Sequence, residues 1–149
     1  MVACSYDVAA ESSGVPSRLW SLLIDARIWP SWGTVDSLVL ERSEGISPDG
    51  RDEVGAVRAF RTGTVVTSER ITELDPCRRF AYEGAENPFM KNYQAEILLS
   101  ERPAGGSVIR WRGSYEAPFG LHLALRRTLD RTMRRMAEGL ARAGDVSPG

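Results

Sequence analysis

At 149 residues, 42% of them hydrophobic and 26% charged, the chain has the size and balance of one globular domain with a sizeable core. Its net charge of -1 excludes a general electrostatic pull toward nucleic acid or anionic membrane. No apolar run approaches the roughly 20 residues that span a bilayer, and Met1–Tyr6 lacks the basic start and apolar stretch of a signal peptide, so a cytoplasmic location is expected.

Ser5–Glu11 alternates, with Tyr6, Val8 and Ala10 on one face, and reads as a strand. A tryptophan-rich segment follows. Pro16 suits a first helical turn, and Leu19, Trp20, Leu23 and Ile24 recur at helical spacing. Trp29-Pro30 interrupts that pattern, and a second short helix, containing Trp32, ends at Gly33. Val35–Arg42 reads as a second strand, and Ser43–Asp52, with Gly45, Pro48, Asp49 and Gly50, as a loop.

From Glu53 onward the pattern is a meander of strands whose turns set the register. A turn at Thr62-Gly63 sets Phe60 opposite Val65 and Arg58 opposite Thr67. The turn at Leu74–Cys77 sets Ile71 opposite Phe80 and Glu69 opposite Tyr82. Asn87-Pro88 sets Tyr82 opposite Tyr93, and the Pro103–Gly106 loop sets Leu99 near Ile109, Ile97 near Trp111 and Tyr93 near Tyr115. One face of this sheet is then apolar and aromatic, while the other carries Arg61, Arg70, Glu73, Glu96, Arg110 and Arg112. That is the signature of an antiparallel sheet with one covered and one wet face.

The cover is a helix from about Gly120 to Ala143, whose stripe is Leu121, Leu125, Leu129, Met133, Met136 and Leu140. The arginines between Arg126 and Arg135 are interrupted by Asp130 and fit a solvated helix face rather than a nucleic-acid site. The tail from Ala143 to Gly149 is expected to fray. Cys4 and Cys77 lack metal-ligand spacing, and with His122 as the only histidine they make no zinc site. No cofactor motif is present.

Strand, two short helices, a long antiparallel meander and one long helix is the order of the helix-grip fold. The residues that carry the likeness are Val15-Pro16, Leu19-Trp20, Asp25, Trp29 and Trp32, then Gly55–Arg58, Glu69–Pro76, Arg79–Tyr82 and Gly105–Trp111. The chain resembles the START-like (SRPBCC) superfamily, which includes the Bet v 1-like proteins and bacterial polyketide cyclase/dehydrase-type proteins, over roughly residues 4–143 of a single 1–149 domain. The resemblance implies an α+β fold: a bent antiparallel sheet of about seven strands wrapped around the C-terminal helix. It also implies an internal cavity that takes a small hydrophobic molecule. Some members act as cyclases, aromatases or dehydratases on polyketides; others carry or sense ligands, and some act as chaperone co-factors.

Within that frame the register gathers Arg58, Thr67, Glu69, Tyr82, Tyr93 and Tyr115 into a polar band on the covered face. Arg58 and Glu69 fall close enough for a charge pair, which burial favours over two lone charges. The band either orients a polar group of an apolar ligand, such as a carbonyl or carboxylate, or only holds strand register. Phe60, Trp111, Leu125 and Met133 are the apolar ligand-binding candidates, each with core packing as the plainer reading. Trp29 and Trp32 are candidates for the gate of the cavity, Trp32 also for ligand contact. If there is chemistry, Glu69, Arg58 and Tyr82 are its candidates, with His122 as an acid/base at the cavity mouth or a plain helix-end residue. The functional expectation is binding of a small hydrophobic, aromatic or polyketide-like ligand. The alternatives are a polyketide cyclase/aromatase/dehydratase-type enzyme and a protein-interaction module.

Overall fold

The computed structural model describes residues 1–146. Its strands are β1 (Val2–Ser12), β2 (Ser37–Leu38), β3 (Val57–Thr62), β4 (Val65–Asp75), β5 (Arg79–Glu86), β6 (Lys91–Glu101) and β7 (Ser107–Ala117). They form one antiparallel seven-stranded sheet in the order β1-β7-β6-β5-β4-β3-β2. Helices α1 (Pro16–Leu23) and α2 (Trp29–Trp32), linked by a 3₁₀ turn at Ala26–Ile28, follow β1, and α3 (His122–Gly144) closes the chain. This is the α+β helix-grip arrangement: a curved sheet holding one long helix, with the short helices at one end.

Alternation decides which face each strand buries. Phe60, Ile71, Phe80, Ile97, Ile109 and Trp111 form the core with Leu19, Leu23 and Leu140 from the helices. On the opposite face Arg70 pairs with Glu83, Arg79 with Glu73 and Glu96, Arg112 with Glu96, and Arg110 with Asp7.

The covered face is as expected, but the register differs in three places. The β3–β4 turn is Gly63-Thr64, with Gly63 at φ +62°, so Phe60 faces Thr67 and Arg58 faces Glu69. The turn lies one residue later than expected, which slides the register by two and keeps every side chain on its face. Irregularities between Ser68 and Glu69 and between Ile71 and Glu73 set Glu69 opposite Gly84 and Ile71 opposite Tyr82. Tyr82 faces Ala95 rather than Tyr93. A further irregularity between Lys91 and Gln94, with Asn92 at φ +53°, carries Tyr93 within stacking distance of Tyr82 and Tyr115.

Other corrections concern ends and edges. Of Val35–Arg42 only Ser37–Leu38 pairs as a strand, and Leu40–Arg42 is a 3₁₀ turn. The Ser43 hydroxyl donates to the Val39 carbonyl (2.7 Å) and accepts from the Ala59 N–H (3.0 Å), so a side chain takes the ladder position there. The end of the chain is anchored as far as it is described. Asp145 accepts from the Ser12 hydroxyl (3.0 Å) and the Ser13 N–H (2.9 Å), and the Val146 N–H donates to Ser13 Oγ (2.8 Å). The rest of the expected fraying tail, 147–149, lies outside the described residues.

The stripe of α3 is buried only in part. Met133, Met136 and Leu140 are buried, Leu125 and Leu129 are half-buried, and Leu121 is exposed. The C-terminal half seats tightly because glycines face the short helices. A Cβ at Gly139 would meet the Trp32 carbonyl oxygen at 2.1 Å, and one at Gly144 would meet Leu19 Cδ2 at 2.2 Å. The N-terminal half has no such contacts, and the space beneath it is where the candidate site lies.

Candidate functional site

A cavity of about 330 Å³ lies between the sheet and α3. Trp29, Phe60, Tyr82, Tyr93 and Trp111 form its aromatic wall, and Leu125, Leu129, Met133 and Met136 close it from the helix. Asn87, Phe89 and Met90 of the β5–β6 turn lie at its rim. That turn is held by Asn87 Oδ1, which accepts from the N–H groups of Phe89 (2.9 Å) and Met90 (3.0 Å). Among the described residues Glu69 is the one charged group in the lining; the other polar groups are the hydroxyls of Tyr82 and Tyr93 and of Thr34, Thr62, Thr67, Ser68 and Thr132, with Asn87 at the rim. A mainly apolar, aromatic-walled cavity with a single charged group has the composition of a small-molecule site.

Arg58 is fully buried, but its partner is not Glu69. Its Nε lies 3.2 Å from Asp52 Oδ2, and its Nη2 donates to the Leu23 carbonyl (2.6 Å). The guanidinium stands 4.5 Å from the centre of the Trp29 ring and 5.2 Å from that of Phe80. Asp52 is buried too, accepting from the N–H groups of Ala26 (3.2 Å) and Ser47 (2.8 Å). The pair thus ties β3 and the long loop to the end of α1. Trp29 locks into the same knot, stacking on Phe60 and donating its indole N–H to the Leu23 carbonyl (2.9 Å).

Glu69 is left without a partner. The residue keeps partial exposure, but its Oε1 is buried and accepts no hydrogen bond. Burial raises its carboxyl pKa from 4.5 to about 7, against the opposing attraction of Arg58. Its neighbour on β5 is Gly84, so no side chain covers it from that strand; a Cβ there would meet Tyr93 Cβ at 3.1 Å.

Beside Glu69 the tyrosines form a hydrogen-bonded chain. Trp111 Nε1 donates to the Tyr82 hydroxyl (3.0 Å), Tyr82 and Tyr93 hydroxyls lie 3.4 Å apart, and the Tyr93 and Tyr6 hydroxyls are bonded. Gly113 makes room for the Tyr6 ring, which a Cβ there would meet at 2.7 Å. Burial holds the Tyr6, Tyr82 and Tyr93 hydroxyls well above the ordinary phenol value, so all three are neutral donors at physiological pH.

The structure brings together at one cavity Phe60, Thr67, Glu69, Tyr82, Tyr93, Trp111, Leu125 and Met133 of the expected residues. Arg58 lies behind the wall. Tyr115 stacks on Tyr93 with its hydroxyl buried and unpartnered, outside the lining. Trp32 packs beside Trp29 and under Gly139, also outside it, while Trp29 sits in the wall itself. His122 is at the start of α3, stacked on the exposed Phe119 with its Nδ1 accepting from the Gly120 N–H (3.1 Å), away from the cavity. Sequence reasoning missed Asp52 and Tyr6. Tyr6 carries a signal in its alternation with Val8; Asp52 carries only the demand of a buried arginine for a counter-charge.

A larger open groove of about 610 Å³ lies on the other side of the sheet, but its Asp7, Arg79, Glu96 and Arg112 are engaged in ion pairs. Among the described residues no group of three His, Cys, Asp or Glu side chains could hold a metal ion, and no helix is long and apolar enough to cross a membrane.

A curved antiparallel sheet gripping a long C-terminal helix defines the helix-grip class of domains. Residues 3–144 match the family model described as "Polyketide cyclase / dehydrase and lipid transport", and the chain belongs to that family. No curated protein matches it in sequence. Among solved structures it is similar to XoxI from Bacillus cereus, with a TM-score of 0.72 at 18% identity over 97% of this chain and 96% of that one. An uncharacterised Bacillus thuringiensis protein gives a TM-score of 0.74 at 18% identity, over 94% of this chain and 98% of that one. The di-domain ARO/CYC StfQ from the steffimycin biosynthetic pathway gives 0.74 at 16% identity, covering 97% of this chain and 50% of StfQ. At these identities the likeness shows the fold alone.

Proposed function

We propose that this chain binds a small hydrophobic molecule, aromatic or polyketide-like, in the cavity beneath the N-terminal half of α3. The observation that carries this reading is a half-open, aromatic-walled cavity of about 330 Å³ that its own side chains leave unfilled. A volume near the lower end of the roughly 300–1,000 Å³ typical of ligand pockets favours a compact ring system over a long acyl chain. Family membership supports a ligand-binding or cyclase role. Native mass spectrometry of freshly purified protein tests the reading. A co-purifying small molecule that is lost in a Leu125→Trp variant supports it; one retained unchanged in that variant places binding elsewhere.

A second reading, a cyclase-, aromatase- or dehydratase-type enzyme, is favoured by one specific observation. Glu69 faces the cavity with its carboxyl raised to about 7, a value suited to moving protons at neutral pH. Tyr82 and Tyr93 would supply hydroxyl donors to a substrate carbonyl; Arg58 would act only through its field on Glu69. The resemblance to StfQ points the same way. If the molecule identified by mass spectrometry is converted by the wild type, Glu69→Gln should slow conversion by about a hundredfold or more. Unchanged turnover in that variant removes Glu69 from the chemistry.

A further inference from the structure

The cavity reading says where a ligand sits; the donors and acceptors around it say which polar group that ligand carries. Glu69 Oε1 is an acceptor with no donor. Both cross-strand neighbours leave it so, Gly84 because it has no side chain and Arg58 because its Nε faces Asp52, its Nη2 donates to the Leu23 carbonyl and its Nη1 makes no hydrogen bond. The aromatic chain beside it has the opposite imbalance. The indole N–H of Trp111 and the hydroxyls of Tyr6, Tyr82 and Tyr93 are four donors, and three hydrogen bonds join them. Among the described residues, one tyrosine proton of this chain is therefore without an acceptor, and when Tyr6 donates to Tyr93 it belongs to Tyr82 or Tyr93, both of which line the cavity.

Resting on the cavity-binding reading, we propose that the ligand carries a hydroxyl, phenolic or enolic, that donates to the Glu69 carboxylate and accepts the spare tyrosine proton. A hydroxyl is the simplest group that does both. An ether or ketone accepts but cannot satisfy an ionised Glu69. A carboxylate places a second anion beside the first in apolar surroundings. An ammonium offers nothing to the tyrosine and meets the field of the buried Arg58. A hydroxyl also serves either protonation state of Glu69, donating to the carboxylate or accepting from the acid. The groups facing Glu69 are Arg58 on β3, Tyr82 on β5, Tyr93 on β6 and Tyr6 on β1; α3 contributes only uncharged side chains to the cavity.

The test is isothermal calorimetry on the intact chain at pH 8 with four probes of similar size: 2-naphthol, 2-methoxynaphthalene, 2-naphthoate and 2-(aminomethyl)naphthalene. Naphthol should bind at least about tenfold more tightly than the ether, the range of one hydrogen bond to a charged group. That advantage should vanish in Glu69→Leu and shrink without vanishing in Glu69→Gln, whose amide oxygen is a neutral acceptor at the same position. Equal binding of naphthol and ether, or tighter binding of the naphthoate or the amine, overturns the hydroxyl assignment and leaves the cavity reading standing. Failure of all four probes to bind overturns both.

Discussion

Glu69 should make the stability of this protein fall as pH rises through neutrality, and the perturbation that isolates it is Glu69→Gln. Its carboxyl titrates near 4.5 in the unfolded chain and at about 7 in the fold. Between those values the folded state holds more protons than the unfolded state, so unfolding free energy declines with rising pH. The favourable contribution is complete below about 4.5 and gone above about 7. At about 1.4 kcal/mol per pH unit across that window, the total is on the order of 3 kcal/mol. Other carboxylates slope the opposite way in acid. Asp7 and Glu96 are held low by hydrogen bonds from Arg110 and Arg79, and Asp145 by the Ser13 N–H, so their stabilisation is lost as pH falls through their folded values. Subtracting the glutamine variant's urea-unfolding free energies from the wild type's at each pH removes these shared terms. The wild type should lose ground to the variant steadily between pH 5 and 7.5. A difference that stays flat over that range would refute the assignment of Glu69 as a partly buried, unpartnered carboxyl.

Arg58→Met should cost about 3–5 kcal/mol, because it strands the buried Asp52 carboxylate. At roughly 2–4 °C per kcal/mol for a chain of this size, calorimetry should show a fall of at least about 6 °C, partly restored by adding Asp52→Asn. A loss below about 1 kcal/mol, combined with abolished ligand binding, would instead make Arg58 a ligand group. Leu125→Trp should fill the cavity while changing stability by less than about 2 kcal/mol, since Leu125 is only half-buried; unimpaired 2-naphthol binding in that variant would argue against the cavity as the site. Gly139→Ala drives a methyl group into the Trp32 carbonyl and should destabilise by about 1–3 kcal/mol or more. Wild-type stability in that variant would mean that α3 and α2 are packed less closely than described.

Much of the covered face was legible because strand parity is a local property. The β3–β4 turn lies one residue later than its sequence suggests, yet Arg58, Phe60, Thr67, Glu69 and Ile71 keep a common side because the register moved by two. Tyr82, Ile97 and Trp111 followed from the same counting, and the pairings Ile97 with Trp111 and Leu99 with Ile109 hold as read. Which residue faces which was harder, since each β-bulge adds a residue that alternation cannot announce. Asn92 is one case: no hydrophobic pattern marks its left-handed backbone, and it is the irregularity there that brings Tyr93 against Tyr82.

By itself, the amino-acid order determined the fold, through the succession of one strand, two short helices, a meander and a long amphipathic helix, and it determined which side chains turn inward. Tertiary structure decided what those side chains do. Arg58 and Glu69 are direct cross-strand neighbours, yet the loop between β2 and β3 folds back to present Asp52, and the arginine takes that partner because its backbone N–H donors already fix the carboxylate. The stripe on α3 reads as uniform from Leu121 to Leu140, but only its C-terminal half meets glycine-lined contacts close enough to exclude space. Loop closure and helix seating depend on residues far apart in the chain, so no local pattern encodes them. Together they leave a cavity and an unpartnered carboxylate where the inward face alone shows a row of candidates.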